Sequence, residues 1–410
     1  MMKKQRVLVT GVGVTSAIGT GFENFRNALK DGRSGTGRIR QFDPSGLACQ
    51  NGCEVKDLSA GEAIAEDEAS RMDRASIMTM VAAKQAMDTG GLPLDRGRID
   101  DTATDPSRCG VVLGSTVGGM TSGFAYYRHL KKDRIVPGLL LDQPLYAMGS
   151  RVCSRYGFKG PNIVISTACS SANLAIGYAW DQIRSGRMDI MLAGGFDPMA
   201  EITCSGFGVL RNTSPDVARP FDRNRQGLVL GEGSGILLME SEEHFGRRHG
   251  HVFGEILGYG MSSDAYHMTS PDILGRGAAR SMMNALASSG ISPGEVGYIN
   301  AHGTATKHND QMETAAIKSV FRDRAYSIPV SSTKSMHGHT LGAAGGIEAI
   351  AVLAAMDGGF IPPTINYRDK DPHCDLDYVP NQAREASFSV GLSNNFGFGG
   401  NNCTVVLGRA

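Results

Sequence analysis

The chain has no excess of charge of either sign, since 41 lysine and arginine residues balance 41 aspartate and glutamate residues among 410 residues. This balance excludes a protein-wide basic field that would hold nucleic acid, so a charged partner must meet a local patch. The eight cysteines include no C-x-x-C pair, the spacing typical of zinc sites, and we expect no metal. In a chain of this size they are mostly core thiols, and a reducing cytoplasm is the expected setting. No apolar stretch looks long enough to cross a membrane, so we expect no membrane contact.

The first residues are basic and precede the apolar run 7–9, a pattern that resembles a signal peptide. The run ends at Gly11 and Gly13, and no convincing cleavage site follows. We therefore predict a buried strand that leads into a glycine turn. A dinucleotide-binding fingerprint is suggested only by these two glycines, and it lacks the third glycine in register.

Short β-branched runs alternate with longer amphipathic stretches, which predicts an α/β fold with largely buried strands. The predicted strands lie at 7–9, 111–113, 163–165, 190–192, 236–239, 296–299, 328–330 and 404–407. The predicted helices lie at 75–89, 171–184, 277–289, 310–321 and 345–356. The 54 glycines sit mainly at the ends of apolar runs, where the backbone turns or approaches another segment closely.

Three small-residue motifs recur in the same order in the two halves of the chain. They are the turns 166–170 and 332–336, the strand ends 113–116 and 301–304, and the glycine clusters 231–236 and 397–401. This recurrence predicts two similar α/β halves, one over residues 1–250 and one over 251–410. An insertion at about 120–160 in the first half would cap a pocket or build an interface. If the halves pack face to face, their turns converge on one site.

Cys169 is the first candidate for chemistry, because it follows the strand at 163–165 and opens a helix. A thiol at a helix start meets the positive end of the helix dipole, and we expect this to lower its pKa. Taken alone, a cysteine in a small-residue turn is more often a core thiol. Two histidines favour a functional role for Cys169, since His302 and His339 lie in turns that match the cysteine turn.

With these residues in place, the sequence resembles a β-ketoacyl-acyl carrier protein synthase of the thiolase-like superfamily, and the resemblance covers essentially the whole chain. It is similar both to the elongating type II enzymes of fatty-acid synthesis and to ketosynthases of type II polyketide and polyene pathways. The resemblance rests on motifs in order: 166–171 around Cys169, 300–304 around His302, 332–335 with 338–339 around Lys334 and His339, 258–265, and 396–400. It implies a thiolase-like duplicated fold, two similar α/β halves in a five-layer α-β-α-β-α arrangement.

The resemblance also implies the chemistry. Cys169 would take an acyl group from a carrier-protein thioester, and the backbone N–H groups of Cys169 and Phe398 would form an oxyanion hole. His302 and His339 would donate hydrogen bonds to a malonyl thioester and stabilise the enolate left by decarboxylation. That enolate would attack the acyl-cysteine and give a 3-oxoacyl thioester. Lys334 would orient the site electrostatically.

The remaining expected site residues are supporting or substrate-binding. Glu348 and Asp310 would support Lys334, although for all three a structural ion-pair network is an equally good interpretation. Phe398 would be an aromatic gate or simply a packing residue. Thr304 and Thr306 would contact the phosphopantetheine arm. The acyl or pantetheine pocket would include Thr116, Val117, Phe207 and Phe396.

Two departures from the family pattern leave the pathway open. Thr116-Val117 stands where fatty-acid enzymes often have Gly-Ile, and Asn395 and Asn401 replace the more usual serine and threonine near the gate. Alternative functions are a thiolase, which would use a second cysteine in a C-terminal glycine loop, and a non-catalytic chain-length subunit, which would lack the nucleophile. An initiating synthase would usually have asparagine in place of His339.

The resemblance implies an acyl carrier protein as partner and a homodimer, or a heterodimer with a chain-length partner. The carrier brings the phosphopantetheine arm, so no separate cofactor is expected. An acidic carrier could meet the basic residues Arg71, Arg74, Arg128, Lys131, Lys132 and Arg134, although a charge run is more often a solvated face.

Overall fold

The computed structural model describes residues 5–61 and 63–410. The basic residues Lys3 and Lys4 therefore lie outside the described residues. The apolar run that follows them begins the strand Val7–Ser16, which is buried throughout. The predicted buried strand is confirmed, but the predicted glycine turn is wrong, because Gly11 and Gly13 lie inside the strand. These glycines instead allow close packing, since a Cβ atom on either would clash with the backbone of the helix that contains Ala82 and Ala86.

The described residues form seventeen β-strands. They are β1 (Val7–Ser16), β2 (Gly19–Thr20), β3 (Gly37–Arg38), β4 (Asn51–Gly52), β5 (Leu94–Asp95), β6 (Arg98–Ile99), β7 (Cys109–Gly114), β8 (Asn162–Ile165), β9 (Ile190–Asp197), β10 (Gly233–Ser241), β11 (Gly254–Ser263), β12 (Tyr298–Asn300), β13 (Val330–Ser331), β14 (Phe360–Ile361), β15 (Arg384–Glu385), β16 (Val390–Gly397) and β17 (Asn401–Gly408).

The same residues form twelve α-helices. They are α1 (Phe22–Lys30), α2 (Glu66–Ala69), α3 (Arg74–Gly90), α4 (Met120–Leu130), α5 (Ala147–Tyr156), α6 (Ser171–Arg184), α7 (Glu201–Val209), α8 (Glu242–Phe245), α9 (Arg276–Ser289), α10 (Lys307–Phe321), α11 (Lys334–His337) and α12 (Ala344–Gly358).

Two sets of five strands have the same order and the same pairing senses. In the first, β1 pairs with β10 and β10 with β9 in antiparallel fashion, and β9, β7 and β8 follow in parallel. In the second, β11 pairs with β17 and β17 with β16 in antiparallel fashion, and β16, β12 and β13 follow in parallel. A short antiparallel contact between β1 and β11 joins the two sets. This repeated topology is the arrangement expected of two similar halves.

Helices cover the strands in layers. α3 and α5 pack on the outer side of the first set, and α9 and α10 on the outer side of the second. α6 and α12 pack against each other and against strands of both sets, so they form the central layer. The order helix, sheet, helix, sheet, helix matches the five predicted layers.

Glycine lets the central layer approach the first sheet closely. A Cβ atom placed on Gly235 of β10 would lie 2.4 Å from the backbone nitrogen of Ile347 in α12. A side chain on β10 at this point would push the helix away, so a glycine is required there.

One segment corrects the expectation about long apolar runs. Leu341–Gly358 has the length and mean hydropathy, 1.4, of a membrane span. However, 89% of it is buried inside the protein, because it contains α12 at the centre of the molecule. We therefore interpret it as a core helix.

The two halves differ in their connections. The link from β7 to β8 contains α4, the 3-10 helix Pro137–Leu140 and α5, whereas the link from β12 to β13 contains α10 and one short 3-10 helix. The turn after β8 leads directly into α6. The turn after β13 first forms α11 and the 3-10 helix Leu341–Ala343, and only then reaches α12. The similarity predicted between these two turns therefore holds for their position but not for their length.

Candidate active site

Residues that follow β8, β12 and β13 and residues at the end of β16 line a cavity of about 540 Å³. They include Cys169, His302, His339 and Phe398. Because these strands come from both halves, the site lies between the halves, as the convergence of the turns predicts.

The turn that carries Cys169 is sharply bent. Ala168 has a positive φ of 55°, a conformation that non-glycine residues rarely adopt. The Ser171 hydroxyl stabilises the turn, since it accepts from the Thr167 N–H at 2.9 Å and donates to the Ala168 carbonyl at 2.5 Å. The Cys169 side chain is thereby placed at the start of α6 and is buried, with 6% exposure.

The thiol is not acidic in the resting protein, contrary to the expectation from its place at a helix start. Burial raises the pKa of Cys169 to about 11. The Lys334 charge and the backbone N–H groups of Phe398 and Cys169 act in the opposite direction and favour the thiolate. The same two N–H groups are those expected to form the oxyanion hole.

His339 directs a hydrogen-bond donor at the thiol. Its Nε2 lies 3.1 Å from the Cys169 Sγ. Its Nδ1 accepts a hydrogen bond from the Leu341 N–H at 3.2 Å, so the proton of the neutral ring resides on Nε2. Burial, and after it the Lys334 charge, lower the pKa of His339 well below its usual value. The ring is therefore a neutral donor across the physiological pH range.

His302 lies beside it, with ring centroids 5.3 Å apart and ring planes nearly perpendicular. Burial, and after it the Lys334 charge, lower the pKa of His302 well below its usual value. The Nδ1 atom of His302 is buried without a hydrogen-bond partner. One ligand-type atom from each of Cys169, His302 and His339 lies within 4.8 Å of the other two.

Glu313 holds His302 in place, and sequence analysis missed it. Its carboxylate accepts the backbone N–H groups of His302 and Gly303, both at 2.8 Å. Burial outweighs these donors and raises the pKa of Glu313 to about 7. The available signal was an acidic residue on the buried face of α10, three positions after Asp310.

Lys334 is buried and forms an ion pair with Glu348, with 2.5 Å between Nζ and Oε1. The other carboxylate oxygen of Glu348 accepts from the Asn395 amide at 2.7 Å. Asn395, noted above as a departure near the gate, therefore belongs to the lysine network. The lysine acts on the site through its charge, which lowers the pKa of both histidines.

Asp310 lies in a different network from Lys334. It accepts from the Phe221 N–H at 2.7 Å and faces the Arg225 guanidinium at 3.6 Å. Arg225 in turn donates to the carbonyls of Thr306 and Lys307. Asp310 thus supports the loop after His302 rather than the lysine.

The expected pantetheine-side residues line the cavity. Thr304 and Thr306 are among them, with their hydroxyl oxygens 2.9 Å apart. Phe207 and Phe396 also line it, and Phe207 stacks on Phe398 with centroids 5.6 Å apart.

Thr116 and Val117 are not among the residues that line this cavity. The Thr116 hydroxyl is 3.5 Å from the Ala168 carbonyl, and the Thr116 side chain is exposed. Val117 is buried in an apolar cluster with Cys204, Leu341 and, at its edge, Phe207.

One of the basic residues expected to meet a carrier protein is already occupied within the protein. Arg74 is engaged by the fully buried Glu232 in an ion pair with 2.5 Å between Nη2 and Oε1, so it is not free to meet a partner. Arg128 pairs with Glu201, and Lys131 lies over the Tyr127 ring.

The thiol and the two imidazoles have the spacing of a metal site, but their surroundings do not favour a cation. The Lys334 charge that lowers the pKa of both imidazoles would repel a metal ion at the same place. The donor set fits a nucleophile with two hydrogen-bond donors better than a metal centre.

Two family models match the chain: the β-ketoacyl synthase N-terminal domain over residues 4–244 and the C-terminal domain over residues 253–368. The chain is 41% identical to 3-oxoacyl-[acyl-carrier-protein] synthase 2 from Synechocystis sp. (strain ATCC 27184 / PCC 6803 / Kazusa), covering 99% of this chain and 98% of the relative.

Solved structures agree with this match. The ishigamide ketosynthase/chain length factor superposes with a TM-score of 0.92 and 37% identity, over 99% of this chain and 100% of that one. A type II PKS acyl-carrier protein in complex with its ketosynthase bound to the hexaketide gives a TM-score of 0.90 and 31% identity, again over 99% and 100%. The predicted thiolase-like, duplicated α/β fold is confirmed.

Proposed function

The chain belongs to the β-ketoacyl synthase family, and from this premise we propose that it is a 3-oxoacyl-[acyl-carrier-protein] synthase that elongates an acyl chain held on Cys169. The observation that carries the proposal is the cluster of one thiol and two imidazoles within 4.8 Å of one another. A nucleophile beside two neutral donors suits an enzyme that first forms an acyl-thioester and then stabilises an enolate.

In the first half-reaction, the Cys169 sulfur attacks the thioester carbonyl of an acyl carrier protein. The oxyanion that forms is met by the N–H groups of Cys169 and Phe398, which already act on the sulfur in the free protein. The carbon–sulfur bond to the pantetheine breaks, and the thiol proton leaves with the pantetheine thiol. Because burial keeps the thiol protonated, the thiolate exists only transiently during this transfer.

In the second half-reaction, a malonyl thioester occupies the cavity and loses CO₂. The electrons of the broken carbon–carbon bond form an enolate, whose oxygen accepts hydrogen bonds from His302 and His339. Both rings can donate because their lowered pKa values keep them neutral. The enolate carbon attacks the acyl-cysteine carbonyl, the bond to the Cys169 sulfur breaks, and the resulting thiolate takes up a proton from solvent.

Lys334 contributes a fixed positive charge near the developing negative charge, and Glu348 compensates that charge in the resting state. Arg225, held by Asp310, fixes the backbone of the loop that presents Thr304 and Thr306. Those hydroxyls suit the uncharged, amide-bearing pantetheine arm.

Phe398 is proposed as the gate between the acyl and malonyl sides. It is flanked by Gly397 and by Gly399, which has a positive φ of 81°. Its ring stacks on Phe207 and is only partly buried, and the flanking glycines leave its backbone free to turn. The acyl side is bounded by Thr116 and Val117.

The proposed partner for both half-reactions is an acyl carrier protein, which supplies the pantetheine arm, so the chemistry requires no separate organic cofactor or metal. We place this chemistry in the cytoplasm. The proposed halves are 1–250 and 251–410, with the insertion at 120–160 as an interface element. Its side chains Ile135, Leu141 and Tyr146 are 71%, 69% and 63% exposed.

A second copy, or a chain-length partner, would cover this surface together with the half-exposed edge strand β8. A purely non-catalytic chain-length subunit is disfavoured, because Cys169 and both histidines converge. A thiolase is disfavoured because Cys403, the cysteine nearest the C-terminal glycine loop, is buried inside β17.

Intact-mass spectrometry after incubation with a panel of acyl carrier protein thioesters tests the proposal. We expect a mass gain of one acyl chain, lost in Cys169→Ala and kept in the matched control Cys153→Ala, whose thiol lies in α5. The preferred chain would separate fatty-acid from polyketide or polyene roles. Failure of every carrier-bound primer to acylate the folded protein would refute the catalytic proposal.

A further inference from the structure

The strand β9 ends beside the site in a residue that the proposed chemistry does not use. β9 occupies the same place in the first half as β16 in the second, where the strand end carries Phe398. In β9 the last residue is Asp197, which pairs with Gly233 of β10 as Gly397 pairs with Asn401 of β17. The Asp197 side chain is completely buried.

The carboxylate of Asp197 is held by donors from two separate turns. From the turn after β7 it accepts the Ser115 hydroxyl at 2.7 Å, the Thr116 N–H at 3.0 Å and the Val117 N–H at 2.7 Å. From the turn after His339 it accepts the Gly342 N–H at 2.6 Å. These donors favour the charged carboxylate, whereas burial is the larger effect and raises the pKa of Asp197 above its usual value.

The second of these turns sets the state of His339. Leu341 has a positive φ of 53°, which is strained for a leucine. In that conformation the Leu341 N–H points at the His339 Nδ1, while the next N–H, that of Gly342, points at Asp197. The bond to Asp197 therefore offsets the strain that keeps the proton of His339 on Nε2.

We propose that Asp197 is a positioning residue that ties the acyl-side turn of Thr116 and Val117 to the turn that fixes the tautomer of His339. One buried carboxyl group thus holds both the turn beside the nucleophile and the turn that orients the His339 donor. The inference rests on the proposed role of His339 as a donor to the malonyl thioester.

In its charged form this carboxylate also raises the pKa of the Cys169 thiol, although burial is the larger cause. Removing the charge should therefore make the thiol more acidic while it frees the turn that orients His339. The more acidic thiol should favour the first half-reaction, in which Cys169 is acylated. The freed turn should slow the second half-reaction, in which His339 donates to the malonyl thioester. A general loosening of the fold would not produce that combination.

The test compares Asp197→Asn with the wild type and with Asp222→Asn. Asp222 is an equally buried carboxylate that accepts the N–H groups of Asn224, Arg368 and Asp369. It therefore controls for the loss of a buried carboxylate that accepts several backbone N–H groups. Three quantities are measured: the pH dependence of Cys169 alkylation by iodoacetamide, the imidazole ¹⁵N shifts of His339, and the rate of condensation.

For Asp197→Asn we expect alkylation to rise at lower pH, the ¹⁵N shifts of His339 to show loss of the single tautomer, and kcat for condensation to fall at least about tenfold, since one oriented donor is worth roughly 10²–10³. In Asp222→Asn the alkylation profile and the shifts should match the wild type. Unchanged shifts in Asp197→Asn, or the same changes in both variants, would overturn the proposal.

If Asp197→Asn does not fold, Ser115→Ala tests the acyl-side contact alone. It should slow transfer of the primer several-fold and leave the His339 shifts unchanged, and an unaltered transfer rate would overturn the proposed link. The alkylation profile and the ¹⁵N shifts are measurable in a wild type that makes no 3-oxoacyl product. Failure of the proposed function is thereby distinguished from failure of this inference.

Discussion

The ion pair between Lys334 and Glu348 allows stability and chemistry to be separated in one set of variants. Lys334→Met keeps the length of the side chain but leaves the Glu348 carboxylate buried with only the Asn395 amide as partner. Breaking a buried pair by removing one partner costs about 3–5 kcal/mol, because the remaining charge is uncompensated. Glu348→Gln should cost a similar amount, since it strands the lysine.

The double variant should be more stable than the sum of the single losses by about 1–3 kcal/mol, because neither charge is then left alone. Its decarboxylation of malonyl carrier protein should nevertheless stay as low as that of Lys334→Met, since the positive charge that acts on the site is absent. Urea unfolding at pH 7 and CO₂ release measure the two quantities. The reasoning is refuted if the two single losses are additive, or if the double variant regains decarboxylation.

A matched control is available at the partly exposed pair of Lys318 and Asp375. Lys318→Met should change stability by no more than about 1 kcal/mol, because a pair of this kind is solvated. It should leave CO₂ release unaltered. An equally large loss there would show that the effect at Lys334 does not depend on burial.

Three further outcomes are expected. Because the pKa of Glu313 is raised from 4.5 to about 7, the native state binds its proton more tightly than the unfolded state. The stability of the wild type relative to Glu313→Gln should therefore fall by about 3 kcal/mol as the pH rises from 4.5 to 7. Urea unfolding of both proteins at several pH values measures this change. Gly177→Ala would place a Cβ 2.4 Å from the Tyr259 ring and should destabilise the protein by about 1–3 kcal/mol, whereas Gly206→Ala, with nothing within 4 Å, should be neutral or stabilising. Phe398→Ala should speed iodoacetamide alkylation of the buried thiol several-fold, and an unchanged rate would contradict the gate.

The long helices could be predicted from sequence because their apolar faces repeat over many residues. The helix predicted at 171–184 coincides with α6, and the one at 345–356 lies within α12. The nucleophile and both histidines were identifiable because small residues surround them at strand ends. Their convergence followed once two similar halves were inferred.

The strands β11 and β16 were not predicted, for different physical reasons. β11 contains Gly254, Gly258 and Gly260, which interrupt its alternating pattern. β16 contains buried polar residues, and Asn394 and Asn395 look like a loop until their partners are known. Buried polar groups that are satisfied by groups distant in sequence leave no local signal, and the same limit hid Asp197.

The duplicated topology explains how one chain supplies both a nucleophile and its donors. β8 and β13 occupy matching places in the two halves, but the chain after β8 enters α6 at once and presents a single side chain, Cys169. The chain after β13 makes α11 and a 3-10 helix before α12, and this longer turn carries both Lys334 and His339. A turn as short as the first would have room for only one of them. The added length in the second half therefore lets a positive charge and a donor reach the thiol of the first half, and the strained Leu341 lies within that added length.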